Sequence, residues 1–427
     1  MADQTQASIS TATIGGDALR IDGRDRSVLR GLARSVAELA ARPVEDEKRR
    51  LWYDHNALRP TRPLIFCDPE NGWNEIITER DLACNGGLAR DWEFTLRKEI
   101  FWGSSMGDDR VVEPFFNVPY VHEETDWGMH ETKIGGRDGG SYVWEAPLAT
   151  YDDFHRLAFP RILVDRGATD RLVALAEETL GDILTVRLRG TWWWTLGMTW
   201  TLVNIRGLER IMYDVFDYPE DLKRLMSFLR DGTLAKLDFL EENGLLSLNN
   251  DGAYVGSGGF GWTDELPCDD FNGSGVRTAD MWGFCESQET SSWSPEMFGE
   301  FILPYQLPVL ERFGLNCYGC CEALDKRWSF IEKVPRLRRV SVSPWADRGD
   351  MADKLGDRYI YSLKPIPTDL AVPVIDEDRI RRGLRETVRI CRDNRLEIIM
   401  KDNHTIGGNP DNVVRWCRIA REEADLL

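Results

Sequence analysis

The run Asn316-Cys317-Tyr318-Gly319-Cys320-Cys321-Glu322 puts three thiols and a carboxylate within seven residues. Zinc binds thiolate, imidazole and carboxylate in a tetrahedron, and a catalytic site keeps one position exchangeable. Cys320 or Cys321 can supply thiolate, Glu322 a carboxylate, and His404, in Asp402-Asn403-His404, an imidazole. Cys317 falls within an apolar strand pattern, where packing accounts for it. The competing account of the adjacent cysteines is burial as small side chains. A lone loop histidine is ordinary, so the case for His404 depends on the cysteine cluster. The other cysteines, Cys67, Cys84, Cys268, Cys285, Cys391 and Cys417, are scattered without paired spacing, so nine free thiols in a reducing compartment are expected.

A second group suits proton transfer and substrate binding. Arg189, before the consecutive Trp192, Trp193 and Trp194, could clamp a carboxylate against an aromatic wall. Core packing accounts equally well for at least two of those rings. Asp251, Glu286 and Asp402 are the candidate acids and bases. Asn250, Tyr254, Trp282 and Gln288, with Trp192 and Trp194, are the candidate substrate-binding residues. The 16 tryptophans suggest a roomy apolar cavity as well as a core. His122 and His130 sit among acidic residues and read first as a solvated loop, second as a lid lining. His55 and His155 read as surface residues.

These residues need elements to hold them. Short branched runs at Pro63–Cys67, Ile183–Arg189, Leu245–Leu248, Asp280–Phe284, Gly314–Tyr318, Val340–Ser343, Tyr359–Leu363 and Leu396–Met400 are separated mostly by helical patterns. Those helical patterns include Pro219–Asn243, Pro295–Phe313 and Glu377–Asn394. Eight such runs predict an α/β fold, a (β/α)8 TIM barrel, whose active face lies beyond the C-terminal strand ends. Asp251, Glu286, Cys320, Cys321 and Asp402 all follow runs of this kind. An open doubly wound sheet is the alternative, but no Gly-x-Gly-x-x-Gly follows the early strands. The spacing of Val28, Leu29, Leu32, Val36, Leu39 and Ala40 predicts helix between Ser27 and Arg50. Residues 1–60 thus read as a tail and helical extension, the first 20 or so without pattern, and 61–427 as the barrel. A β-hairpin insertion or lid is expected at about 92–150, turning at Gly135-Gly136-Arg137-Asp138-Gly139-Gly140.

The chain has 427 residues, 42% of them hydrophobic, with 53 Lys and Arg against 72 Asp and Glu, a net charge of −19. That balance argues against nucleic acid or an anionic membrane surface as a partner. No apolar run approaches the roughly 18 residues of a spanning helix, and the N-terminus lacks a signal core. A cytoplasmic protein acting on a small molecule is expected.

The stretch Asp280-Met281-Trp282-Gly283, then Trp293-Ser294-Pro295-Glu296-Met297-Phe298 and Pro304-Tyr305, resembles the uroporphyrinogen decarboxylase superfamily. Its order also suits a helix start, with Ser294 as cap, Pro295 in the first turn and Glu296 complementing the dipole. The resemblance runs from about Asp170 to the C-terminus, with Arg62-Pro63 as a first strand entry. In the zinc-dependent methyltransferases of that superfamily the next strand carries His-x-Cys; here the place reads Tyr318-Gly319-Cys320-Cys321-Glu322. The family's last ligand, a Cys, falls where this chain has Lys401-Asp402-Asn403-His404-Thr405. No Arg-Gln-Ala-Gly-Arg-like motif is present, which leaves an acidic tetrapyrrole without a clear site. The resemblance therefore implies a zinc-dependent methyltransferase moving a methyl group between a small methylated compound and a corrinoid (cobalamin). The corrinoid would be carried by a partner protein, since no Asp-x-His-x-x-Gly carrier motif occurs. A decarboxylase or other lyase on a small aromatic or carboxylic acid, with Arg189 as clamp and Asp251 or Glu286 as acid or base, is the second reading. A non-catalytic ligand-binding barrel is the third.

Overall fold

A computed structural model describes residues 19–135 and 142–426. The patternless N-terminal segment as far as residue 18, and the hairpin turn at 136–141, lie outside the described residues. The chain divides into two compact units. One comprises the residues up to Glu123, Leu163–Trp192 and Pro365 onward; the other comprises Glu124–Ile162 and Trp193–Lys364.

In the first unit the strand Leu64–Cys67 pairs in parallel with Arg395–Met400, Cys67 opposite Met400. Phe115–Val118 pairs in parallel with Thr185–Leu188. The helix expected between Ser27 and Arg50 is two helices, Gly23–Ala40 and Pro43–Asn56. Pro43 cannot continue a helix interior but suits a first turn, so the chain breaks and restarts there. The first of them is capped by Asp22, whose carboxylate accepts the Asp25 N–H at 2.7 Å. It buries Leu29, Ala33 and Val36 in a core shared with Leu96, Phe116, Val118 and Leu172. Its hydrophobic stripe thus belongs to the core of this unit. His55, expected at the surface, is buried, with Nε2 3.2 Å from Glu397 Oε2.

The second unit holds four parallel strands in spatial order: Trp282–Cys285, Leu315–Tyr318, Leu337–Val342 and Ile360–Leu363. Helices Pro295–Phe301 and Leu303–Leu310, then Trp328–Ile331, then Arg348–Leu355 carry the chain between successive strands. Such crossovers are what parallel pairing requires. Every residue of the first, second and fourth strands is buried, as expected of parallel strands covered on both faces. Ser294 caps the first crossover helix by accepting the Met297 N–H at 3.2 Å, and Pro295 begins it.

The alternation read from the sequence is therefore present as a mixed α/β fold with parallel strands; a closed eight-stranded barrel is not shown. Seven of the eight expected runs contain strands. Leu245–Leu248 forms none among the described residues. Next to it, Asn249 Oδ1 accepts the Trp282 N–H at 2.9 Å and its Nδ2 donates to Trp282 O at 3.0 Å. A side chain thus occupies main-chain groups that a neighbouring strand would otherwise use. The expected insertion also begins differently. Gly87–Phe101 is a helix burying Ala89, Trp92, Glu93 and Leu96 at helical spacing. The hairpin proper is the antiparallel pair Thr132–Gly135 and Tyr142–Glu145. None of the nine cysteines is in a disulfide. No helix among the described residues is long and apolar enough to cross a membrane.

Candidate active site

In the four-stranded sheet Cys285 lies opposite Tyr318 and Tyr318 opposite Val340, the third strand running on to Val342. Beyond the strand ends come Glu286, Gly319 and Ser343 in turn. The turn carrying the cysteines needs its glycine. Gly319 has φ +89°, and a Cβ there would lie 2.5 Å from Leu324 Cδ1. Its N–H donates to Cys285 O at 2.9 Å, so the chain bends sharply after Tyr318 while staying fastened to the neighbouring strand.

Past this bend Cys320 is buried and Cys321 exposed, with their Sγ atoms 3.6 Å apart. Ser257 Oγ lies 3.1 Å from Cys320 Sγ, a hydroxyl-to-sulfur hydrogen bond. Glu322, 1% exposed, turns back onto the turn. Its Oε2 accepts the Cys320 N–H at 2.9 Å, and its Oε1 accepts from Ser287 N at 2.8 Å and Ser287 Oγ at 3.2 Å. One carboxylate therefore ties the cysteine turn to the segment leaving the adjacent strand. Charge-assisted bonds of this kind are the strong ones.

That segment is fixed from other directions as well. The Arg327 guanidinium donates to Ser287 Oγ at 3.0 Å, to Trp293 O at 3.2 Å and to Thr290 O. Gln306 Nε2 donates to Gly197 O at 2.7 Å and Glu286 O at 2.8 Å, while Tyr318 Oη donates to Gln306 Oε1 at 2.6 Å. Glu286 Oε2 accepts the Gln288 N–H at 2.8 Å. Burial, then the charges of Glu289 and Glu322, pushes the Glu286 carboxyl well above the usual range. Burial also raises the Glu289 carboxyl, against a hydrogen bond from Thr199 Oγ1 at 2.6 Å.

The other expected residues of this unit have defined places. Asn250 Nδ2 donates to Leu266 O at 2.6 Å, and Asp251 Oδ1 accepts the Ala253 N–H at 2.9 Å, a local turn bond. Trp282 is buried in a core cluster with Val255, Phe284, Leu315 and Cys317, and Trp194 packs against that cluster. The Trp282 Nε1–H donates to Gly261 O at 3.0 Å. Tyr254 starts a short antiparallel pair, opposite Phe260. Gln288 is half-buried, its Nε2 donating to Glu289 Oε1 at 3.2 Å.

Arg189, Trp192, Asp402 and His404 belong to the other unit. Arg189 is half-buried and its N–H donates to Val118 O at 2.9 Å. The Trp192 ring lies 5.4 Å from that of Tyr120 and 4.7 Å from that of His122. Asp402 follows the strand Arg395–Met400 with φ +61°, and Glu70, after the paired strand, has φ +50°. Two non-glycine residues in the left-handed region at adjoining strand ends mark stored backbone strain. Lys401 Nζ reaches Asp402 Oδ1 at 2.8 Å and Glu70 Oε1 at 3.6 Å. His404 is exposed, and its carbonyl accepts from Asn71 Nδ2 at 2.9 Å.

Sequence reasoning missed Ser257, Ser287, Glu289, Gln306 and Arg327. Gln306 lies just beyond the Pro304-Tyr305 pair, which was the one local signal pointing near it. Ser257 and Arg327 sit in loops with no pattern that distinguishes them.

No family model matches the chain, and no curated protein matches it significantly. Among solved structures it is similar to a methyltransferase from Methanosarcina mazei, with a TM-score of 0.48 and 12% identity, over 88% of this chain and 97% of that one.

Proposed function

We propose that this protein is a zinc-dependent methyltransferase that moves a methyl group between a small methylated compound and a corrinoid brought by a partner protein. The observation that carries this reading is the pair of thiols at a parallel strand end. Zinc–sulfur bonds of about 2.3 Å arranged tetrahedrally put two sulfurs roughly 3.8 Å apart, and Cys320 and Cys321 hold theirs at 3.6 Å. That spacing fits two ligands on one metal, and neither sulfur is tied up in a disulfide.

Cys320 and Cys321 are the proposed thiolate ligands. Glu322 clamps the turn on which they stand, and its Oε2, which accepts one N–H, keeps a further lone pair. When bound, zinc supplies a Lewis-acid centre that keeps coordinated sulfur deprotonated at neutral pH. Ser257 orients the buried sulfur, and the Glu322 bonds fix the direction of the Cys320 main chain. Supports of this kind set metal affinity as well as geometry.

Metal analysis of protein purified without chelator and with added zinc tests the reading. About one zinc per chain is expected, lost largely in Cys320→Ser and Cys321→Ser. Methylation of cob(I)alamin by small methylated donors should fall with the metal. Wild-type protein carrying no stoichiometric metal would overturn the proposal.

A further inference from the structure

The helix Leu208–Asp217 carries apolar residues on two sides. Its inner side buries Ile211 and Val215 together with Asp214. Asp214 fixes the roll of the helix: its carboxylate accepts from the Arg206 guanidinium at 2.6 and 2.8 Å and from Tyr151 Oη at 2.8 Å. Arg206 also donates to Leu148 O at 2.9 Å and Ala149 O at 2.7 Å. The helix cannot turn to bury its other side without breaking a buried, two-bond ion pair, and breaking such pairs is costly.

That other side holds Leu208, Met212, Tyr213 and Phe216, which are 45%, 42%, 59% and 72% exposed. Their spacing of i, i+4, i+5 and i+8 makes one continuous arc. Two rings of about 200 Å² each at these exposures, with Leu208 and Met212, leave roughly 450 Å² of apolar surface in water. Arg210, Asp217 and Tyr218, all exposed, border the arc. A helix that is apolar on both sides belongs under a cover.

The pattern is its own complement. Met212 is the middle of the stripe Leu208, Met212, Phe216, so a second helix laid antiparallel about Met212 sets Leu208 against Phe216 of the other copy. Arg210 and Asp217 stand two turns apart on the same edge of the arc. In the antiparallel pairing each Arg210 faces Asp217 of the other copy. Arg210 Nη1 donates to Ala146 O at 3.2 Å, and the remaining guanidinium N–H groups suit that carboxylate. A partner with one sign of charge along this edge would be opposed at one end of it.

We infer that the outer side of the helix Leu208–Asp217 is the contact face of a two-fold homodimer, its occupant a second copy of this chain packed antiparallel. With the bordering residues, two copies bury roughly 1,200 Å² in total, the low end for a specific interface, so the dimer is reversible. The inference stands apart from the methyltransferase reading.

Sedimentation equilibrium of the full-length protein, from low to high micromolar concentration, tests it. Wild type should pass from the mass of one chain to that of two. Phe216→Glu should raise the dissociation constant about 30-fold or more, with an unchanged urea midpoint because the side chain is exposed. Arg210→Asp and Asp217→Arg each set like charges together and should weaken the dimer several-fold, while the double exchange restores it. Wild-type protein that remains one chain throughout overturns the inference, as does a dimer that Phe216→Glu leaves intact. A double exchange no tighter than the single ones overturns the antiparallel pairing, and this comparison holds even if Phe216→Glu fails to fold.

Discussion

Glu322→Ala should loosen the cysteine turn and destabilise its unit, and the size of the effect can be worked from the bonds lost. The carboxylate accepts from two main-chain donors, Cys320 N and Ser287 N, at 2.9 and 2.8 Å, and from the Ser287 hydroxyl at 3.2 Å. A buried donor left unsatisfied costs about 1–3 kcal/mol. The Ser287 hydroxyl can rotate, and it already accepts from Arg327, so two main-chain donors dominate. The expected loss is roughly 2–6 kcal/mol, centred near 4. Glu322→Gln keeps one acceptor oxygen but presents an NH2 group to the other main-chain donor, so about half that loss is expected.

Urea titration followed by tryptophan fluorescence reads the ordering: wild type, then Gln, then Ala. At about 1.4 kcal/mol per tenfold in the unfolding constant, the Ala variant should shift that constant by about 30-fold at the low end of the range and several hundred-fold at its centre. Alkylation kinetics under native conditions supply the local readout. Cys320 is buried in wild type and should react faster once its N–H is released. Losses below about 1 kcal/mol in both variants, or a Gln variant as stable as wild type, would refute the clamp.

Two other outcomes follow from particular residues. Gly319→Ala places a Cβ 2.5 Å from Leu324 Cδ1 at φ +89°, and left-handed backbone plus overpacking should cost roughly 2–4 kcal/mol; a urea midpoint equal to wild type would contradict this. Burial foremost, then the charges of Asp402 and Asp68 against that of Lys401, raises Glu70 from 4.5 to about 7. Its protonation therefore stabilises the fold below its unfolded value, and that contribution is lost as pH rises through about 7. The stability difference between wild type and Glu70→Gln should shift against wild type over that window, measured by urea midpoints across pH, and a difference constant with pH would refute it.

Much of the fold was legible because periodic burial and local capping act over a few residues. Branched runs marked seven strands, and Ser294-Pro295 marked a helix start whose cap is the one formed. Pro43 was equally visible, but periodicity continuing across it merged two helices into one. Leu245–Leu248 has the composition of a strand, and what distinguishes it is the Asn249 side chain bonded to Trp282 main-chain groups. That pairing spans 33 residues, and no local pattern encodes it. His55 failed for a similar reason: its burial depends on Glu397, 342 residues further along.

The site divides the same way. Chemistry-bearing residue types after strand runs were readable, because a parallel strand delivers its next residue to one edge of the sheet. What those residues do there depends on partners from other strands. Glu322 and Glu286 are both buried carboxyls at neighbouring strand ends, alike in sequence terms. Glu322 receives two main-chain N–H groups and a hydroxyl, which suits a side chain that holds a turn. Glu286 receives one N–H and faces acidic groups, and with its burial these push its carboxyl well above the usual range. The contrast between the two carboxyls therefore lies in hydrogen-bond partners set by tertiary contact, between residues as far apart as Ser287 and Glu322, rather than in the glutamates themselves.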